Sequence, residues 1–123
     1  MSVSKKDLQA IRGALRTAFI RSEYRKKFVE SITIVVPRYK KNGERYKVDS
    51  KMFCCQECRQ MFSVSDCRVD HIKPIGQYFD FNHTSGFIER LWCGYSNLQG
   101  LCDDCHKEKT AYERSLVKGI GRL

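Results

Sequence analysis

The sequence lacks any run of about 18 apolar residues, the length that a helix needs to cross a bilayer. The basic N-terminus also lacks the unbroken apolar core of a signal peptide, because Arg12 and Arg16 interrupt it. Internal repeats, low-complexity tracts and linker-like stretches are absent too. From these absences we expect an intracellular protein, cytoplasmic in location, with one domain spanning residues 1–123.

Acidic residues are scarce, since 14 Asp and Glu oppose 23 Lys and Arg, which gives a net charge of +9 at pH 7. A polyanionic partner is the simplest explanation, and nucleic acid is the commonest polyanion. A solvated basic surface that only maintains solubility is the alternative. An anionic membrane surface ranks third, because it would require an amphipathic helix with a large apolar face.

Seven cysteines are present. An odd number in an intracellular chain argues against a disulfide framework. The pairs Cys55-x-x-Cys58 and Cys102-x-x-Cys105 have the spacing of a structural zinc site, in which four thiolates surround the ion and leave no open position. The alternative is four reduced thiols in a core. Cys54 competes with Cys55, but its spacing to Cys58 is one residue longer, so Cys55 is preferred.

Residues 4–30 read as one amphipathic helix, which Ser4 could cap and in which Asp7 lies near the positive end of the helix dipole. Apolar residues recur every three to four positions from Leu8 to Phe28. The other faces are basic. They could lie along a phosphate backbone or form an ordinary solvated surface.

Asn42-Gly43 is a strong hairpin signal and predicts that Thr33–Lys41 pairs with Glu44–Val48. The basic tip of this hairpin could enter a nucleic-acid groove or be a soluble turn. After the hairpin we expect a strand at Arg68–Ile72 and then a hydrophobic insert at Tyr78–Phe81 and Phe87–Trp92, the latter with a helical turn capped by Ser85. A strand or turn follows at Asn97–Leu101. The last element is a helix from Cys102 or Asp103 to about Lys118, which Gly119 and Gly121 stop. The aromatic residues of the insert are expected to lie in the core. Cys67 and Cys93 are expected to be half-buried free thiols.

Asp70 and His71 end a predicted strand, and His106 begins a predicted helix. A carboxylate and an imidazole can hold one divalent cation with positions left open for water and phosphate. Because adjacent strand residues point to opposite faces, His71 would lie away from the metal and could take a proton from water. Taken alone, Asp70, His71 and His106 could equally be ordinary strand or helix residues. His106 could also be an alternative zinc ligand.

The segments VDHIKPI at 69–75 and SNLQGLCDDCHKEKT at 96–110, with the two cysteine pairs, resemble the HNH nuclease family, of the zinc-stapled kind common in bacteriophages. The resemblance covers about residues 53–112 and implies an α+β fold containing a ββα-metal (His-Me) finger. It implies that His71 is the general base, that Asp70 and His106 bind the catalytic ion, and that Asn97 tethers the loop between the two strands.

Some relatives carry another histidine where this chain has Lys109 and Thr110. Two protein ligands are therefore expected, and Mg²⁺ or Mn²⁺ is the expected catalytic ion beside a structural Zn²⁺. Lys109 itself is expected to be an exposed helix lysine that could help to neutralise the transition state. His83 matches nothing in the family pattern and is expected to be a loop residue.

The resulting hypothesis is a monomeric HNH endonuclease that nicks double-stranded DNA with weak sequence preference. Residues 1–50 would form a basic extension of the core, and a phage packaging terminase is a partner that the resemblance suggests, in the cytoplasm of a bacterial host. The alternatives are a non-catalytic zinc-stapled nucleic-acid-binding module and an accessory protein that binds an acidic partner. The residues expected to contact DNA are Arg12, Arg16, Arg25, Lys26, Lys40, Lys41, Arg45 and Lys109.

Overall fold

The computed structural model describes residues 3–76 and 82–121, the stretch 117–121 by its backbone alone. The predicted insert segment 78–81 lies outside the described residues. Helices and small sheets are both present, so the predicted α+β class is confirmed. None of the described helices is long and apolar enough to span a membrane. The helices are α1 Lys5–Ile20, α2 Glu23–Ser31, α3 Thr84–Leu91 and α4 Asp103–Gly121, and the strands are β1 Ile34–Val36, β2 Ser50–Cys54, β3 Met61–Ser63, β4 Arg68–His71 and β5 Leu98–Leu101.

The chain forms two compact units, each built from two separate segments. The first unit comprises Met1–Ser31 and His71–Gln99, and the second comprises Ile32–Asp70 and Gly100–Leu123. β4 and β5 form a two-stranded sheet, and the chain passes from one unit to the other within each of these strands. The expectation of one domain over the whole chain stays a prediction.

The N-terminal helical segment of the first unit is divided, so the prediction of one continuous helix is wrong. Ser4 does cap α1, because its Oγ accepts from the N–H of Asp7 at 3.1 Å. The break lies at Ser22, whose Oγ accepts from the N–H of Arg25 at 3.1 Å and so starts a second helix. The Ser22 N–H closes α1 by donating to the carbonyl of Phe19. A serine inside a helical pattern therefore acted as a cap.

Aromatic and aliphatic side chains fill the interior of the first unit. Phe19 and Phe28 are buried on the inner sides of α1 and α2, and Phe87 and Leu91 are buried on α3. Phe87 therefore belongs to the core, as expected. The predicted cap of α3 is wrong, because this helix begins at Thr84 and Ser85 lies inside it.

The second unit contains an antiparallel sheet with the strand order β1-β2-β3. The predicted hairpin is confirmed next to its turn, where Tyr39 pairs with Arg45 and the N–H of Tyr46 donates to the carbonyl of Arg38 at 2.8 Å. It is wrong for β1, which pairs with Ser50–Cys54 instead. The later segment pairs because it carries Phe53, which is fully buried, whereas Val48 stays 70% exposed.

β3 was not predicted as a strand. Phe62 lies opposite Phe53 in the register, and the ring centroids are 6.1 Å apart. Around Phe53 the core of the second unit consists of Cys55, Cys67, Leu101 and Cys102. Cys67 is thus buried rather than half-buried.

β4 and β5 confirm the predicted short strands, with a 3-10 turn, Tyr95–Asn97, before β5. Gly100 in β5 allows close packing, because a Cβ there would lie 2.6 Å from Cδ1 of Ile32 and 3.1 Å from Sγ of Cys67. α4 begins where predicted but runs through Gly119 to Gly121. A single helical glycine costs only about 1 kcal/mol, which does not oblige a helix to end.

Candidate active site and metal centre

Four cysteine side chains of the second unit converge on one point. Their sulfurs all lie within 4.8 Å of one another, and we refer to Cys55, Cys58, Cys102 and Cys105 as the four-cysteine cluster. Tetrahedral zinc sites have Zn–S bonds of about 2.3 Å, which correspond to sulfur separations of about 3.8 Å. The cluster therefore has the donors and the dimensions of a four-thiolate metal site. Cys54 is outside it, and its Sγ faces the carbonyl oxygen of Cys55 at 3.8 Å.

Each half of the cluster is shaped by backbone hydrogen bonds. After β2, the N–H of Arg59 donates to the carbonyl of Cys55 at 2.9 Å and closes the first turn. Arg59 takes the left-handed conformation there, with φ at 61°. At the start of α4, the N–H of Cys105 donates to Sγ of Cys102 at 3.5 Å. The two turns thus direct all four sulfurs toward one point.

The pKa values of two thiols in the four-cysteine cluster are shifted in opposite directions. Burial raises the pKa of Cys55, but N–H groups of Cys102, Cys58 and Glu57 that face its sulfur outweigh burial and lower the pKa to about 6. The neighbouring Cys102 thiol, followed by burial, raises the pKa of Cys105. The pKa of Cys55 is therefore lower than that of Cys105 within the same cluster.

His71 is half-buried in the first unit and is oriented by helix α3. Its Nε2 lies 2.8 Å from the carbonyl oxygen of Leu91, the last residue of α3. Since a carbonyl oxygen only accepts, Nε2 carries the proton and the lone pair of the neutral ring is on Nδ1. The Phe19 ring packs against the imidazole with a centroid separation of 5.1 Å. These contacts define both the tautomer and the orientation of His71.

Asn97 holds the chain directly after His71. Its Oδ1 accepts from the N–H of Lys73 at 2.9 Å, and its Nδ2 donates to the carbonyl of Lys73 at 3.3 Å. Its own carbonyl accepts from the N–H of Ile72 at 2.8 Å. The structure therefore links Asn97 to the two residues that follow His71. That Asn97 orients the general base through these hydrogen bonds stays a prediction.

Asp70 and His106 belong to the second unit. The carboxylate of Asp70 is 12% exposed and pairs with Nζ of Lys109 at 3.0 Å, and Lys109 also bonds to Glu113. Lys109 is thus a half-buried ion-pair partner, and the prediction of an exposed helix lysine is wrong. Burial lowers the pKa of Lys109, but Glu113 and Asp70 outweigh burial and raise it. His106 is half-buried in the first turn of α4, directly after Cys105.

A family model for the HNH endonuclease matches residues 55–112. This segment is therefore similar to HNH endonucleases, and we refer to residues 55–112 as the HNH segment. This HNH segment contains the four-cysteine cluster and all four of the residues expected to be catalytic. It covers a little under half of the chain. Separate searches of curated proteins and of solved structures gave no match.

HNH nucleases use a divalent metal ion, and the donors of the HNH segment suit one. The Asp70 carboxylate already faces a cation, the ammonium of Lys109, at 3.0 Å. A carboxylate supplies the oxygen donors that Mg²⁺ and Mn²⁺ prefer. His106 adds a half-buried imidazole, a common ligand of divalent metals. His106 is not needed in the four-cysteine cluster, which is complete without it.

Several cations expected to contact DNA are engaged within the protein. Arg45 forms a two-oxygen pair with Asp49, and Lys40 lies 3.7 Å from Glu44. Arg16 donates to the carbonyl of Gly76 at 2.9 Å. Lys109 pairs with Asp70 and Glu113. The remaining residues of that expected set lie on α1, on α2 and at the hairpin tip, and are Arg12, Arg25, Lys26 and Lys41.

Three groups that contact residues expected to act in catalysis or DNA binding were missed in the sequence. The carbonyl of Leu91 could not be found, because every residue type carries the same backbone carbonyl. Phe19 was recognised only as one member of an apolar stripe. Glu113 could have been found, because it lies four residues after Lys109 on a helix, the spacing at which opposite charges pair.

Proposed function

We propose that this protein is a divalent-metal-dependent DNA endonuclease that hydrolyses phosphodiester bonds. The observation that carries the proposal is the contact between Nε2 of His71 and the carbonyl of Leu91 at 2.8 Å. Nε2 therefore carries a hydrogen, and Nδ1 is the nitrogen that can take a proton, inside a segment that matches the HNH family model.

His71 is the general base of the proposed reaction. Nδ1 takes a proton from a water molecule while the water oxygen bonds to phosphorus and the bond from phosphorus to the 3′ oxygen breaks. The leaving oxygen then takes a proton from solvent, and the imidazolium returns its proton to solvent. The Leu91 carbonyl, at the C-terminal end of α3, accepts the Nε2 hydrogen throughout the proton transfer.

Asn97 positions the base, and Asp70 and His106 supply the metal ligands. The tether from Asn97 to Lys73 restrains the backbone that follows His71, so the imidazole keeps its direction during proton transfer. Asp70 and His106 would hold one Mg²⁺ or Mn²⁺. When bound, this ion supplies positive charge for the phosphate and for the leaving 3′ oxygen.

The four-cysteine cluster is proposed to bind one structural Zn²⁺. Four sulfurs within 4.8 Å of one another complete a tetrahedral site, so no position is left for a substrate. The cluster joins the turn after β2 to the start of α4. In this way it would hold the helix that carries His106 and Lys109.

Double-stranded DNA is the proposed substrate. The net charge of +9 supports binding through phosphates, and the cations of α1, α2 and the hairpin tip are the proposed contacts. Contacts to phosphates carry little sequence information, so weak sequence preference and single-strand nicks by a monomer follow. A phage packaging terminase is a partner compatible with this activity, in the cytoplasm of a bacterial host.

A supercoiled-plasmid assay at low salt tests the proposal, with Mg²⁺, Mn²⁺ or a chelator added. The variant His71→Ala should lose about 10²- to 10⁴-fold in nicking rate, the usual contribution of a general base. His83→Ala is the matched control, because His83 precedes α3 and is no part of the HNH motif. It should nick like the parent.

Zinc content and circular dichroism of both variants show whether their folds persist. Equal nicking by the parent and His71→Ala would contradict the assignment of the base. Tight DNA binding without nicking in any metal would favour the alternative, a zinc-stapled nucleic-acid-binding module. Absence of both DNA nicking and DNA binding would favour an accessory protein that binds an acidic partner.

A further inference from the structure

Two lysines of α4 form ion pairs in different surroundings. Nζ of Lys109 lies 3.0 Å from Oδ2 of Asp70, with the side chains 24% and 12% exposed. Nζ of Lys107 lies 2.8 Å from Oδ2 of Asp103, with the side chains 72% and 44% exposed. The Lys109 pair is thus the more shielded from solvent, and its charges interact more strongly than those of a surface pair.

Glu113 holds the Lys109 ammonium from the same helix. It lies one turn further along α4 and forms a second ion pair with Nζ. The ammonium is therefore shared by two carboxylates and is directed along α4 toward Asp70. A lysine restrained on two sides loses less freedom on pairing than a lysine on an open surface.

We propose that Lys109 is an internal counter-ion of the Asp70 carboxylate and competes with the catalytic divalent cation for it. This inference rests on the proposed function, which assigns Asp70 as a metal ligand. Metal binding then exchanges one cation for another at Asp70. The ammonium stays on Glu113, and its positive charge continues to weaken divalent binding nearby.

Binding of Mn²⁺ to the full-length, zinc-loaded protein without DNA tests this exchange, with free Mn²⁺ measured by electron paramagnetic resonance. Lys109→Met should bind Mn²⁺ about tenfold more tightly than the parent, because one positive charge beside the ligand is removed. Lys109→Arg keeps that charge and should bind like the parent. Lys107→Met is the matched control, and its affinity should stay within about twofold, since Lys107 is exposed.

Unchanged or weaker Mn²⁺ binding by Lys109→Met would overturn the inference. An equal gain in Lys107→Met would also overturn it, because the effect would then be one of net charge. Asp70→Asn should abolish the Mn²⁺ site, and unchanged binding by this variant would overturn the ligand assignment together with the inference. If only the Lys109 result failed while nicking still required His71, the proposed nuclease function would stand.

A measurement on the unsubstituted protein avoids any effect of substitution on folding. In ¹H–¹⁵N spectra of the lysine ammonium groups, Mg²⁺ should shift the signal of Lys109 and leave that of Lys107 in place. Both signals unmoved at saturating Mg²⁺ would contradict the exchange of cations at Asp70.

Discussion

At the scale of single residues, the chemistry of the HNH segment depends on backbone groups as much as on side chains. His71 is oriented by the carbonyl of Leu91, and Asn97 acts by bonding to both backbone groups of Lys73. The residue types were recognisable in the sequence. Their partners were not, because every residue carries the same backbone donors and acceptors and only the fold selects among them.

Arg59 provides a prediction about stability at this scale. Its φ of 61° is unfavourable for a residue with a Cβ, so Arg59→Gly should raise the free energy of unfolding by about 1 kcal/mol. Arg59→Ala is the control, since it removes the charge but keeps the Cβ. Denaturant unfolding at constant zinc concentration measures both. A gain in the alanine variant equal to that in the glycine variant would assign the effect to the charge.

At the scale of elements, helices α1 and α2 do more than carry positive charge. Phe19 of α1 contacts the rings of both His71 and Trp92, the latter edge-on at 5.4 Å. Phe28 of α2 packs against Tyr95, which begins the 3-10 turn that contains Asn97. These helices precede the matched family segment, yet they form the apolar surroundings of residues within it.

Substitution of Phe19 tests this role of α1. Phe19→Leu should lower the nicking rate about tenfold at saturating DNA and leave the KM for DNA nearly unchanged, because a looser contact lets the His71 ring leave its reactive orientation. Phe28→Leu is matched in burial, since both phenylalanines are 4% exposed, but Phe28 packs against Tyr95. Phe28→Leu should lose less of the nicking rate than Phe19→Leu, although the free energy of unfolding should fall by a similar amount in both variants. An equal loss of rate in the two variants would indicate general destabilisation.

At the scale of the whole molecule, the small core explains why a metal would matter. The buried cluster of the second unit has five residues, and three of them are cysteines. Two of these, Cys55 and Cys102, belong to the four-cysteine cluster. A core with so few aliphatic residues gives limited hydrophobic stabilisation, and metal coordination would supply the rest.

Exchange of adjacent cysteines tests the proposed zinc site. Cys55→Ser should lose bound zinc and unfold at a markedly lower temperature, because it removes both a ligand and a buried core residue. Cys54→Ser is the neighbouring control and should keep one zinc per chain. Metal analysis after dialysis, with thermal unfolding, measures both. Zinc retained by Cys55→Ser but lost by Cys54→Ser would reverse the ligand assignment.

The sequence by itself determined the features that depend on short-range chemistry. The spacing of the four cysteines, the Ser4 cap, the strand at Asp70 and the HNH motif are local patterns, and the structure or the family match agrees with each of them. A ligand pair or a cap requires only that a few neighbouring residues adopt one turn.

Only the tertiary structure decided the features that depend on competition between distant segments. β1 pairs with the strand that buries Phe53, although the nearer segment had a clear turn signal. Lys109 meets Asp70 because the fold brings α4 to the end of β4. In both cases several local partners were chemically acceptable. Burial of apolar surface and of charge selected one of them, and burial is a property of the folded chain rather than of any short stretch of it.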